Sequence, residues 1–446
     1  MLRVSLVRPT LLAFASIIAA SAPAVADGPP VSFAADVAPI LVDECLVCHN
    51  TRTPRGRFSV ETYQALMKGS ESGSAISTDD PDFSSLVLLV ESGDMPKEGN
   101  PLSPDQISLL KRWIAEGARL DDGKPADRPL STIMPRPTQP LPPDTYTAPV
   151  PVTAIAFHPD GSQLAVSGYH EVLVFEAGNG KLLRRIQRLP ERIEAIAYSP
   201  DGRLMAVAAG TPARLGEVKL FRSESGEPVA DLAFAADSFL DVAFSPDGKT
   251  LAAAGSDRTV RLWSVADQME LATIEDHADW VTAVAFSPDG NRLATASRDQ
   301  TVKVFDLATR ESIATFMGHE QPVLDVLFTP DGERIVSCGR DEQVRIWTIA
   351  DAKQQKRQDL NAEAFALSLV GSEAFLCGSA ARSARMFDFD GSPGKTFKDR
   401  PDWMQAVAAT VDGSKIALGC YDGTVEILDP KNGETLQTLS AMPPAP

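Results

Sequence analysis

From about residue 149 onward, short apolar runs and Asp-Gly turns alternate along the chain. The runs "VTAIAFHPDGSQLAVSG", "IEAIAYSPDGRLMAVAA", "LDVAFSPDGKTLAAAG", "VTAVAFSPDGNRLATAS" and "VLDVLFTPDGERIVSCG" follow one another. A degenerate copy, "FALSLVGSEAFLCGS", and a seventh copy, "MQAVAATVDGSKIALGC", complete the series. Each copy is followed by a second short apolar stretch such as "TVRLWSV", "TVKVFDL" or "QVRIWTI". One repeat therefore reads as strand, tight turn, strand, polar turn, strand. Its strands are apolar on both faces instead of alternating, so each small sheet must be covered on both sides.

Radially stacked sheets provide that cover and leave only short edges. The spacing of about 42 residues falls in the range of propeller repeats. Counting the copies predicts an all-β, seven-bladed propeller over residues 149–440, with 441–446 as a tail.

The N-terminal third has a different period. In "FAADVAPILVDE", Phe33, Val37, Ile40 and Leu41 share one side of a helix. In "SPDQISLLKRWIAEGARL", Ser103 can cap, Pro104 suits the first helical position and Gln106 completes a capping box. Ile107, Leu110, Ile114 and Ala118 then form an apolar stripe with Trp113 beside it, which reads as core. Residues 27–121 are thus expected to be a small all-α domain. Residues 122–148 are dense in proline and lack an apolar period, so they read as an extended linker at roughly 3 Å per residue.

The first 26 residues carry Arg3 and Arg8, an apolar stretch from Leu11 to Ala20, and Ala24-Val25-Ala26. That is the order of a secretory signal peptide, too short in its apolar part to span a membrane. The expectation is a periplasmic or secreted protein with no membrane span. A formal charge of −18 disfavours nucleic acid, whose phosphates need a basic face. A partner protein with a basic patch suits it better.

Chemistry concentrates in "ECLVCHN", residues 44–50. A structural zinc needs about four N or S ligands, and Cys45, Cys48 and His49 are the only cysteines and histidines between residues 27 and 157. A redox dithiol usually opens a helix in a βαβ setting, and no parallel-sheet pattern surrounds this one. In C-x-x-C-H the two thiols can add to one porphyrin while the histidine binds its iron. The reading is therefore one covalently attached haem c, held by Cys45 and Cys48, with His49 as proximal ligand. Met67, Met95 and Met134 are the candidates for the sixth position. Met95, on the loop "SGDMPKEGN" before Pro96, is preferred. Thioether ligation closes the iron to substrates and favours electron transfer. Cys338, Cys377 and Cys420 lie in strand-like runs and read as small buried apolar residues.

Two resemblances gather these signals. "DVAPILVDECLVCHN", "GSESGSAI", "DMP" and "LSPDQISLLKRWIAEGA" together resemble the planctomycete-type cytochrome c domain, over roughly residues 31–121. That resemblance implies thioether attachment at Cys45 and Cys48, with His49 and Met95 as axial ligands. Asn50 stands where a glycine is common, and Lys97 where a second proline is usual. Residues 149–440 resemble WD40 repeats. The family's structural tetrad maps onto His319, Ser337, Asp341 and Trp347, and a second set, His277, Thr295 and Asp299, ends in Phe305.

The functional expectation is an exported mono-haem electron carrier whose propeller docks another exported protein, such as a redox partner. Two alternatives stand beside it: an oxidoreductase whose propeller binds substrate and feeds the haem, and a scaffold with a sensing or stabilising haem. No nucleophile elbow, phosphate loop or paired acid and base marks the propeller as catalytic. Trp280 and Trp403, nine residues before their Asp-Gly turns, are candidate rim anchors. His158 occupies a turn where other copies have serine or threonine.

Overall fold

The computed structural model of the protein describes residues 29–46, 48–50, 57–97, 101–135 and 138–442. The expected signal segment lies outside the described residues. Two compact units divide the chain, residues 1–135 and 136–446.

The first unit is helical. A π-helical turn, Phe33–Val37, runs into α1 (Ala38–Glu44). Ser32 caps the turn by accepting the Ala35 N–H on its hydroxyl. The helices α2 (Tyr63–Lys68), α3 (Ser85–Glu91), α4 (Pro104–Ala115) and α5 (Leu130–Ile133) follow. The capping box of α4 forms as expected: the Ser103 hydroxyl accepts the Gln106 N–H, and the Gln106 side chain accepts the Ser103 N–H.

Phe33, Val37, Ile40 and Leu41 are buried together with Leu110, Trp113 and Ile114 in one core. Trp113 packs on Phe33 at 5.1 Å between ring centres, and its indole N–H donates to the Arg119 carbonyl. Each such side chain contributes about 1.5–3 kcal/mol by burial. Glu116 accepts the Val31 N–H at 2.7 Å, and Asp121 accepts the Ala34 N–H at 2.6 Å. The terminal helix region is thereby fastened to the start of the domain.

The second unit is the propeller, and its topology corrects the count of seven blades. Five separate four-stranded antiparallel sheets are present, built from residues 239–274, 281–317, 323–359, 364–397 and 404–440. The first two sequence repeats instead form a single seven-stranded sheet: β1 (Ile155–Phe157), β2 (Gln163–Ser167), β3 (Tyr169–Glu176), β4 (Leu182–Tyr198), β5 (Leu204–Thr211), β6 (Leu215–Arg222) and β7 (Pro228–Ala235).

The cause is β4, a 17-residue strand. Its first half pairs with β3 and its second half with β5. Between later repeats the chain leaves the sheet, and His277 and His319 sit in two of those excursions. Between repeats one and two no such histidine loop exists. There Arg188 and the facing His170 adopt left-handed backbone (φ 62° each), and His170 Nδ1 bonds the Leu189 carbonyl at 2.8 Å. The strand therefore runs on without a break.

The ring closes by packing of the last sheet on the first. Val152, Phe157 and Leu173 share a core with Ala406, Val425 and Leu439, and the Val152 N–H donates to the Cys420 carbonyl at 3.1 Å. Part of the proline-rich stretch lies along this unit. Gln139 is buried and donates to Glu217, while the Tyr146 hydroxyl donates to the buried Glu171, which also takes a bidentate pair from Arg185.

Candidate functional site

Helix α1 ends at Cys45, whose N–H still donates to Leu41. The backbone keeps turning, because the N–H groups of Cys48 and His49 both donate to the Cys45 carbonyl, at 3.2 and 3.0 Å. Cys45 and His49 therefore lie one helical turn apart on the same side. The Asn50 side chain donates to the Leu46 carbonyl at 3.1 Å, and the His49 carbonyl accepts the Val60 N–H at 2.8 Å. Asn50, the departure from the glycine common at this place, thus locks the turn. The His49 ring meets the edge of Phe58 at 5.3 Å between centres.

Both thiols are free and half-buried. Burial, then the Glu44 carboxylate and the neighbouring Cys48, push the Cys45 thiol up to about 11. A redox dithiol needs the opposite, a thiol whose pKa is depressed towards the thiolate. Among the described residues no group of three or more His, Cys, Asp or Glu converges to hold a metal ion.

The residues fit a haem c better. Two unpaired thiols stand on one short turn, and among the described residues the buried Nδ1 of the adjacent imidazole has no hydrogen-bond partner. A buried polar atom left unmet is uncommon and points to a role outside the chain's own packing. Met95, Met67 and Met134 all pack half-buried against the same core as Cys45. Met95 differs from the others by its place on a loop after α3, where its N–H donates to the Leu89 carbonyl at 2.9 Å.

In the propeller the expected tetrad is complete. The Trp347 indole N–H donates to Ser337 Oγ at 2.8 Å, Ser337 bonds His319 Nε2 at 2.8 Å, and His319 Nδ1 bonds Asp341 at 2.8 Å. Because the Asp341 carboxylate can only accept, Nδ1 carries the proton that faces it; in the neutral ring Nε2 then accepts the Ser337 O–H, while the Ser337 oxygen accepts the indole N–H. Burial raises the Asp341 carboxyl, but the His319 bond and charge outweigh it, and the net shift is downward. The second set holds His277 between Thr295 at 2.6 Å and Asp299 at 2.8 Å, without an indole. His158 bonds the Gly202 carbonyl at 3.0 Å and Asp160 at 2.7 Å. All four propeller histidines are therefore engaged in holding the fold. Cys338, Cys377 and Cys420 are buried and unpaired.

Sequence reading missed the central channel, a cavity of about 210 Å³ lined by the inner strand of every repeat. Asp241 and Asp325 stand there. Asp241 accepts the N–H groups of Val242 and Val284, and Asp325 those of Val326 and Leu367. Burial and then the Asp325 charge push Asp241 up to about 8, and burial pushes Asp325 up to about 7. The signal was visible: the other five repeats carry alanine at this place, namely Ala154, Ala195, Ala283, Ala366 and Ala406. The two candidate rim tryptophans are exposed, Trp280 by 38% and Trp403 by 47%.

Fold and site together define a cytochrome c-type domain joined to a β-propeller. A family model described as planctomycete cytochrome C matches residues 45–99, starting on Cys45 and reaching past Met95. A second, described as IFT122 first beta-propeller, matches residues 151–429, more than half of the chain. The chain belongs to that propeller family. No curated protein matches it.

Proposed function

We propose that this protein is an exported mono-haem c-type cytochrome that carries electrons, with its propeller serving as a docking platform for another exported protein. Cys45 and Cys48 would hold the haem c by thioether bonds, and His49 and Met95 would be its iron ligands. When bound, the haem supplies a one-electron redox centre. The chain's own part is to place the two thiols on one turn, hold His49 against Phe58 through the bond from Val60, and surround them with an apolar core. A low-dielectric shell and thioether ligation both tune the potential of such a centre.

The observation that carries this reading is the free-thiol turn ending in an imidazole whose buried Nδ1 is unmet among the described residues, inside the segment that matches a cytochrome c family. Export is supported by the composition of residues 1–26 and by the need for haem attachment after secretion. Among the described residues no helix is long and apolar enough to cross a membrane. A visible spectrum of the reduced, purified protein tests the reading. A six-coordinate low-spin c-type spectrum is expected, and a spectrum without haem bands overturns it.

A further inference from the structure

The propeller repeats contain an internal template for a ligand. In the fourth repeat Asp279 and Trp280 form a rim pair, with the Trp280 N–H donating to its neighbour's carboxylate at 2.7 Å. Arg298 donates its N–H to the Trp280 carbonyl at 2.9 Å, lays its guanidinium over the indole at 4.3 Å, and faces Asp279 at 3.8 Å. The seventh repeat reproduces the frame. Trp403 N–H donates to Asp402 at 2.9 Å, and the N–H of the residue in the Arg298 place donates to the Trp403 carbonyl at 2.9 Å. That residue is Tyr421, not arginine. Among the described residues Asp402 has no ion pair and Trp403 no cation over its ring. The same carboxylate and indole thus stand ready without their guanidinium.

The surroundings suit a ligand from outside. Trp403 and Tyr421 pack together, 5.9 Å between ring centres, and are 47% and 45% exposed. Tyr421 is also a wall of a cleft of about 470 Å³, shared with Pro149, Pro151, Tyr169 and Glu191. That volume lies in the range of ligand pockets, ~300–1,000 Å³. The cleft's own cation, Arg192, is turned to Glu194 at 3.3 Å. Aromatic and proline walls favour an extended segment, and the carboxylates of Glu191 in the cleft and Asp402 beside Trp403 favour a cationic one. The chain's charge of −18 adds long-range attraction for a basic partner.

We infer that the Asp402–Trp403 pair with Tyr421 is the docking site of the propeller, and that it takes an arginine from an extended basic segment of a partner protein. The inference rests on the docking role proposed above and names its site and chemistry. The test uses the full-length holoprotein and labelled acetyl-Gly-Pro-Arg-Pro-Gly-amide, beside the same peptide with neutral citrulline for arginine. The arginine peptide should bind, and citrulline should weaken it roughly 2- to 30-fold, the span of a cation–π contact. Trp403→Ala and Asp402→Asn should weaken it similarly, while Trp280→Ala should not.

The decisive variant is Tyr421→Arg, which keeps Asp402 and Trp403 but supplies the guanidinium that the fourth repeat already has. It should lose about tenfold in peptide affinity while keeping the wild-type circular dichroism. Equal affinity for both peptides, no binding by the wild type up to millimolar peptide, or undiminished binding by Tyr421→Arg would overturn the inference. So would equal binding of N-acetylarginine amide, which would make the site one for a small molecule. Haem spectra of the same samples separate this failure from that of the electron-carrier reading: a coloured protein that ignores the peptide sinks only the docking site.

Discussion

Replacing Ser337 by alanine removes one oxygen from the centre of a buried chain of bonds. Ser337 is fully buried, takes the Trp347 indole N–H at 2.8 Å and bonds His319 Nε2 at 2.8 Å. Without it, two buried polar groups lose their partner at once, and each unmet group costs about 1–3 kcal/mol. The expected loss is therefore about 2–6 kcal/mol. The fourth repeat supplies the control. Thr295 serves only His277, at 2.6 Å, because Phe305 has no N–H to give. Thr295→Val keeps the shape and orphans one group, so it should cost about 1–3 kcal/mol. Urea unfolding followed by tryptophan fluorescence measures both, and thermal scans should show a drop of very roughly 2 °C per kcal/mol at this size. If Ser337→Ala costs no more than Thr295→Val, the directional chain from indole to carboxylate is wrong.

The channel carboxyls give a pH dependence. Asp241 and Asp325 sit at about 8 and about 7 in the folded protein, above the ordinary carboxyl value. Their contribution is then fully present below about pH 4 and is lost as pH rises through 7 and 8. Propeller stability should fall between about pH 4 and pH 8 by an amount on the order of a few kcal/mol, and Asp241→Ala with Asp325→Ala, the residue of the other five repeats, should flatten that slope. An unchanged slope in the double variant would remove these groups as its source. Met95→Ala should convert the low-spin spectrum of the holoprotein to a high-spin one, whereas Met67→Ala should leave it alone; the reverse result would move the distal ligand to Met67.

Local chemistry was legible because it is written in a few adjacent residues. The Ser103 and Gln106 capping box, the stripe around Trp113, and the Ser337–His319–Asp341 chain all form as their spacing requires. The blade count was not legible. Whether a chain leaves one sheet before entering the next depends on the connection, and the short segment around Leu189 stays extended under the bond from His170. Repeat counting treats every connection alike and so splits a sheet that is continuous. The channel pair was missed for a different reason. Asp241 and Asp325 sit in apolar runs, and only the geometry of the ring brings the two to one cavity. Tyr421 became informative only when its backbone bond to Trp403 set it in the same place as Arg298.

The central claim is a porphyrin bound through two sulfur atoms to the turn after α1. Intact mass spectrometry under denaturing conditions, on protein matured where haem attachment is active, tests it most directly. One haem should stay on the wild-type chain, with neither Cys45 nor Cys48 open to alkylation, and Cys45→Ala with Cys48→Ala should return the bare polypeptide mass. A wild-type chain of polypeptide mass alone, with both thiols alkylated, would contradict the account.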